Sequence, residues 1–101
     1  MNLTQDEWVS QYEADKNAVI LDVRTEQEYN EGSIANAISI DIYEGQGFIA
    51  KLQDLDKSKY YYVYCRSGAR SANACELMAS LGFENAYNLL GGILEWNGEI
   101  V

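Results

Sequence analysis

The sequence predicts an α/β fold, a parallel sheet covered by helices on both faces. Three observations carry this expectation. Strand-like and helix-like segments alternate along the chain, Ala18–Val23 is a continuous apolar run of the kind found in strands buried on both faces, and 101 residues are enough for one domain with a workable core. We read residues 1–101 as a single domain.

The elements follow in order. Thr4-x-x-Glu7 ahead of Trp8, Val9 and Tyr12 is a capping box that opens an amphipathic helix ending near Asp15 or Asn17. A strand runs from Ala18 to Val23, and a second capping box, Thr25-x-x-Glu28, starts a short helix that stops at Gly32. Residues 37–40 read as a strand, and Phe48, Ile49, Leu52 and Leu55 have helical spacing. The aromatic and β-branched run Tyr60–Tyr64 is a strand, with Ser71–Leu81 as the helix that follows, its apolar face formed by Ala74, Leu77, Met78 and Leu81. Tyr87–Leu90 is the last strand before Gly91-Gly92, and a final helix is expected to begin at Ile93–Trp96. The chain has no proline, so its turns rest on Gly, Asn and Thr.

Seven basic against 16 acidic residues give a net charge of −9, which disfavours nucleic acid and anionic membrane as partners. The N-terminus lacks the parts of a signal peptide and no apolar run approaches the ~18 residues of a membrane span. A cytoplasmic location is the expectation. The four lysines are scattered, whereas Arg24, Arg66 and Arg70 fall in two segments close to a cysteine motif. That placement prepares a site for a small anion.

There are two cysteines and no histidine. No zinc-ligand spacing is present, a Cys-His pair is impossible, and Cys65 and Cys75 fall on different elements, so no metal and no structural disulfide are expected. In the stretch YYYVYCRSGARS, Cys65 ends a strand and the loop 66–69 leads into a helix near Arg70. Gly68 permits positive φ, so successive N–H groups can turn toward the sulfur, and a helix N-terminus adds its partial charge. With Arg66 and Arg70, these are the groups available to stabilise a Cys65 thiolate. The other reading of Cys65 is a small core residue ending a buried strand. Cys75, mid-helix beside Ala74 and Leu77, reads as core.

The run Cys65-Arg66-Ser67-Gly68-Ala69-Arg70-Ser71 resembles the active-site loop of rhodanese-like sulfurtransferase domains, C-x-x-G-x-R followed by Ser or Thr. Leu21-Asp22-Val23-Arg24 with Glu28 and Tyr29 resembles that family's D-x-R…E-[FY] segment, and Gly82-Phe83 with Leu90-Gly91-Gly92…Trp96 resembles its closing pattern. Two framework positions depart from it: Ser33 stands where the family usually has His in Gly-His-Ile, and Ser39 where a proline is common.

The resemblance implies a three-layer α/β/α sandwich around a mostly parallel sheet of about five strands. It also implies transfer of a sulfane sulfur from thiosulfate or a similar anionic donor to cyanide or a thiol through a Cys65 persulfide, without a cofactor. Arg66, Ser67, Gly68, Ala69 and Arg70 would then bind the donor and the persulfide, with Asp22, Arg24 and Ser71 in support. Arg70 could equally form a structural ion pair, Asp22 could cap its loop by pairing with loop arginines or N–H groups, and Tyr64 could line the site. The alternatives are a non-catalytic binding module, a carrier passing persulfide to a protein acceptor, and a phosphatase or arsenate reductase of the same fold. The last would resemble C-x5-R, one residue wider than the C-x4-R of Cys65 to Arg70.

Overall fold

The computed structural model covers residues 1–101. Five strands, β1 (Asn2–Leu3), β2 (Val19–Asp22), β3 (Ile38–Ser39), β4 (Tyr61–Tyr64) and β5 (Ala86–Leu89), form one sheet in the order β1-β5-β4-β2-β3. Every neighbouring pair is parallel. The helices are α1 (Gln5–Glu13), α2 (Glu26–Glu31), α3 (Gln46–Gln53) and α4 (Ala69–Ser80), with 3-10 turns at Ile42–Glu44 and Ile93–Glu95. No helix is long and apolar enough to cross a membrane.

Both capping boxes form as expected. Thr4 and Thr25 each accept the N–H three residues on, while Glu7 and Glu28 reach back to the cap N–H. The inner strands β2 and β4 hold almost nothing but buried residues, because each of their faces meets its own core. On one face Leu21, Val63, Cys65, Phe48, Leu52, Ala74, Cys75 and Met78 pack beneath α3 and α4. On the other Ile20, Tyr62, Tyr64, Leu3, Ile34 and Leu89 surround Trp8 of α1. The Trp8 ring stands edge-on to Tyr62, Tyr64 and Trp96, with centroids 5.9, 6.4 and 5.6 Å away. Its Nε1–H finds no hydrogen-bond acceptor, and aromatic faces are the weak acceptors available to it.

The 3-10 turn Ile42–Glu44 is unexpected and α1 stops at Glu13, short of Asp15, while two further departures bear on the site. The strand β1 has only two residues and so no periodicity; it exists because Asn2 and Leu3 find the open edge of β5 at Asn88 and Leu89. The final helix is a single 3-10 turn, because the Ile93 and Leu94 N–H groups donate to the carbonyls of Cys65 and Arg66, each at 3.0 Å. Residues 93–94 thus brace the cysteine loop.

The strand order positions the site. From β2 the chain moves to β3 on one side, and from β4 to β5 on the other, so the winding reverses between the carboxyl ends of β2 and β4. Ligands of open α/β sheets bind at such a reversal. Asp22 and Cys65 lie there, at and just past the ends of these two strands.

Replacing Trp8 by Ala removes the centre of the α1-side core. The expected loss is about 3–5 kcal/mol of unfolding free energy, measured by urea denaturation.

Candidate active site

Cys65 follows β4 directly and is only 1% exposed, on the α4 face of the sheet. Its Sγ accepts the Gly68 N–H at 3.1 Å, the Ser71 N–H at 3.4 Å and the Ser71 hydroxyl at 3.3 Å. The loop can close this way because Gly68 sits at φ +103, where an added Cβ would press on the Leu89 carbonyl at 3.3 Å. Burial pushes the Cys65 thiol up, but the Ser71 hydroxyl and the Ser71, Gly68 and Ser67 N–H groups together outweigh it and hold the thiol below its ordinary value. Cys75 has no such donors, and burial pushes it up to about 12. Both cysteines are free.

Two of the braces that hold the loop in this shape are the Gly91-Gly92 turn and the Arg70 side chain. Gly91 and Gly92 have φ of +81 and +58, and a Cβ on Gly92 would stand 2.4 Å from the Arg66 carbonyl oxygen. The turn therefore presses directly on the backbone of Cys65 and Arg66, which is what lets Ile93 and Leu94 bond there. On the other side, the Arg70 guanidinium makes a two-pronged ion pair with Glu28, at 2.8 and 2.9 Å, and lies over the Tyr43 ring. Glu28 is at once the third residue of the α2 capping box and this partner. The Arg70 hydrogen bonds, against some cost of burial, pull its carboxyl down to about 2.

Asp22 and Arg24 form a separate network on the opposite side of the sheet. Asp22 accepts the Arg24 N–H at 2.9 Å and its guanidinium at 2.7 to 3.1 Å, so its partner is Arg24 and not an arginine of the cysteine loop. Arg24 also donates to the Gly32 carbonyl at 2.7 Å. Burial works against the Arg24 charge, and the Asp22 carboxylate more than offsets it. Tyr64 donates to Asp22 at 2.6 Å and accepts the Ile34 N–H at 3.1 Å, so it belongs to this network and does not line the cysteine pocket. Adjacent strand residues face opposite ways, which puts Tyr64 and Cys65 on different faces. Ser33, at the framework departure, is buried and exchanges two backbone hydrogen bonds with Val101.

Arg66 projects from the loop and is exposed. It lines a cleft of about 570 Å³ together with Arg24, Glu28, Glu31, Gly32, Ile93 and Leu94. A somewhat larger cleft, about 660 Å³, lies against α1 and the segment 96–99. Its walls hold neither a cysteine nor an arginine, whereas the first sets two arginines beside the carboxylates of Glu28 and Glu31.

Sequence reasoning missed Asn88. This buried residue of β5 accepts the Ser71 hydroxyl through its Oδ1, while its Nδ2 donates to the Gly68 carbonyl at 3.2 Å and to Asn2 Oδ1 at 2.9 Å. An amide amid the apolar positions of a buried strand was the available signal.

Residues 5–99 match the family model described as "Rhodanese-like domain". The chain belongs to the rhodanese-like domain family. A Bacillus subtilis relative, YtwF, is 41% identical over 90 residues, 86% of this chain and 81% of that one. The thiosulfate sulfurtransferase GlpE of Coxiella burnetii is 35% identical over 81 residues, 80% of this chain and 73% of its own. A tRNA uridine(34) hydroxylase of Cytophaga hutchinsonii is 35% identical over 85 residues, which cover 82% of this chain but only 27% of the relative. A rhodanese-related protein from Thermoplasma volcanium superposes with a TM-score of 0.78 at 36% identity, covering 100% of this chain and 95% of that one. Taken together, the family match and these relatives support a rhodanese-family sulfurtransferase.

Glu28→Gln is expected to lower stability at neutral pH by about 1–2 kcal/mol, a value discounted for partial exposure of the pair. Because the folded carboxyl titrates at about 2, below its unfolded value, the stabilisation is complete above the unfolded value and fades as pH falls toward about 2. Urea titrations of both proteins across that range should therefore converge at the acid end.

Proposed function

We propose that this chain moves a sulfane sulfur from thiosulfate or a similar anionic donor to a small thiophilic acceptor, with Cys65 as the nucleophile. The observation that carries the reading is the set of three donors converging on Cys65 Sγ at the carboxyl end of β4. Such an arrangement favours a sulfur anion without any base.

The Cys65 thiolate attacks the outer sulfur of thiosulfate. A new S–S bond forms as the old one breaks, and sulfite leaves with the electron pair. The persulfide left on Cys65 carries its negative charge on the outer sulfur, within reach of the loop N–H groups. Cyanide or a thiolate then attacks that outer sulfur, leaves as thiocyanate or a persulfide, and returns Cys65 as thiolate. No net oxidation occurs and no cofactor enters.

Arg66, exposed at the cleft beside the loop, is the residue assigned to the donor's sulfonate oxygens. Arg70 is assigned the structural role, since Glu28 and Tyr43 already occupy its guanidinium. Ser67, Gly68 and Ala69 supply loop backbone, and Ser71 a hydroxyl and an N–H. Asp22 and Arg24 support the site from the end of β2. The tight C-x4-R loop, with its donors turned onto one sulfur atom, favours this reading over attack on a phosphate or arsenate.

Intact-mass measurement before and after thiosulfate, with cyanide added last, tests the proposal. The native chain and Cys75→Ser should gain the mass of one sulfur that cyanide removes, whereas Cys65→Ser should gain nothing. Arg66→Ala should raise KM for thiosulfate by roughly tenfold or more with a smaller change in the acceptor step. If no form loads sulfur from thiosulfate or mercaptopyruvate, the small-donor reading fails in favour of a protein persulfide donor or a binding role.

A further inference from the structure

The Ser71 hydroxyl has one hydrogen and two acceptors. It lies 3.3 Å from Cys65 Sγ and within hydrogen-bond reach of Asn88 Oδ1, and it cannot donate to both at once. Asn88 cannot turn away from this competition. Its Nδ2 donates to the Gly68 carbonyl and to Asn2 Oδ1, and a flipped amide would place its oxygen against the Gly68 carbonyl oxygen. The Gly68 carbonyl therefore keeps Oδ1 facing Ser71.

We propose that Asn88 is a positioning residue of the cysteine loop, whose amide oxygen competes with Cys65 Sγ for the single Ser71 hydroxyl hydrogen and thereby reports and biases the charge on that sulfur. This deepens the sulfurtransferase reading and rests on it for its place in the reaction.

The hydrogen-bond balance differs between states. With Cys65 as a thiol, the S–H donates to Ser71 Oγ and Ser71 donates to Asn88, so every group in the chain is satisfied. With Cys65 as a thiolate, the sulfur has no hydrogen to give and is the stronger acceptor, so the hydroxyl turns to it and Asn88 Oδ1 loses its donor. Once Sγ carries an outer sulfur, the inner sulfur is neutral and the hydroxyl returns to Asn88. The hydroxyl thus swings toward Sγ when charge arrives there and back when charge moves outward, while Gly68, held through its carbonyl by the same amide, keeps its N–H aimed at the sulfur.

The sign of the bias follows. Asn88 Oδ1 stabilises the thiol state, so removing the acceptor should lower the pH at which Cys65 ionises. The other charged or titratable groups near the loop are Arg66 and Arg70 of the loop and α4, Glu28 behind Arg70, Tyr43 under it, Arg24 in the cleft with Arg66, Cys75 on α4 and the Met1 ammonium, whose charge reaches Cys75. None of them bonds the Asn88 side chain.

The test is a pH titration of the Cys65 Cβ chemical shift in the full chain with isotope-labelled cysteine, with Cys75→Ser used to assign the two signals. Asn88→Leu, similar in size and without an acceptor, should lower the midpoint by roughly half to one pH unit, a threefold to tenfold change in the ionisation constant. Asn2→Ala, at an exposed edge position, removes one of the two acceptors that fix the amide, leaving only the Gly68 carbonyl against a turn of its NH₂ toward Ser71, and should lower the midpoint in the same direction by less. Ser71→Ala should raise it, and in that background Asn88→Leu should no longer lower it, leaving only the upward effect of releasing the Gly68 carbonyl. A midpoint that stays put or rises in both Asn88→Leu and Asn2→Ala, or an Asn88→Leu lowering that survives in Ser71→Ala, overturns the proposal. If Asn88→Leu does not fold, Asn2→Ala alone and combined with Ser71→Ala decides it. The titration needs no sulfur donor, so its outcome is separate from whether the chain loads sulfur at all.

Discussion

A sulfur buried at the end of a central strand, in a chain of net charge −9 with no histidine, holds negative charge only if fixed donors surround it. Burial alone would push the thiol up, as it does at Cys75. The rest of the structure serves to keep the donors of the 66–71 loop aimed inward. That constraint explains why a four-residue connection is braced from three directions.

From one side the Gly91-Gly92 turn approaches the Cys65 and Arg66 backbone so closely that no side chain fits, and the next two N–H groups occupy their carbonyls. From the second, Glu28 carries the stiffness of a capped helix into the loop through Arg70. From beneath, Asn88 ties Gly68 and Ser71 to β5 and, through Asn2, to the edge strand. Backbone donors held this way need little reorganisation when charge develops, which is the basis of electrostatic preorganisation.

The Asp22, Arg24 and Tyr64 cluster is best read as a geometric device. A buried ion pair recovers little net stability after desolvation, but it is costly to break and tolerates few arrangements. Here it joins the carboxyl ends of β2 and β4 to the Gly32 and Ile34 backbone, and so fixes Arg24 in the wall of the cleft that Arg66 also lines.

Features that depend on neighbours in sequence were legible without coordinates. The sequence by itself determined the alternating α/β layout, both capping boxes, the glycine-containing cysteine loop and the position of Cys65 at a strand end, because each rests on local periodicity, backbone permissiveness or hydrogen bonds spanning a few residues. The opposite facing of Tyr64 and Cys65 was also available from strand alternation, although proximity along the chain obscured it. Only the tertiary structure decided which partners met across long separations: Glu28 with Arg70, Asn88 with Ser71, Asp22 with Tyr64, and Ile93 and Leu94 with the loop carbonyls. The two-residue β1 and the shortened final helix belong to the same class. A hydrogen-bonding group carries no mark in sequence of which distant group will satisfy it, and strand order with the register of β5 against β4 makes that choice.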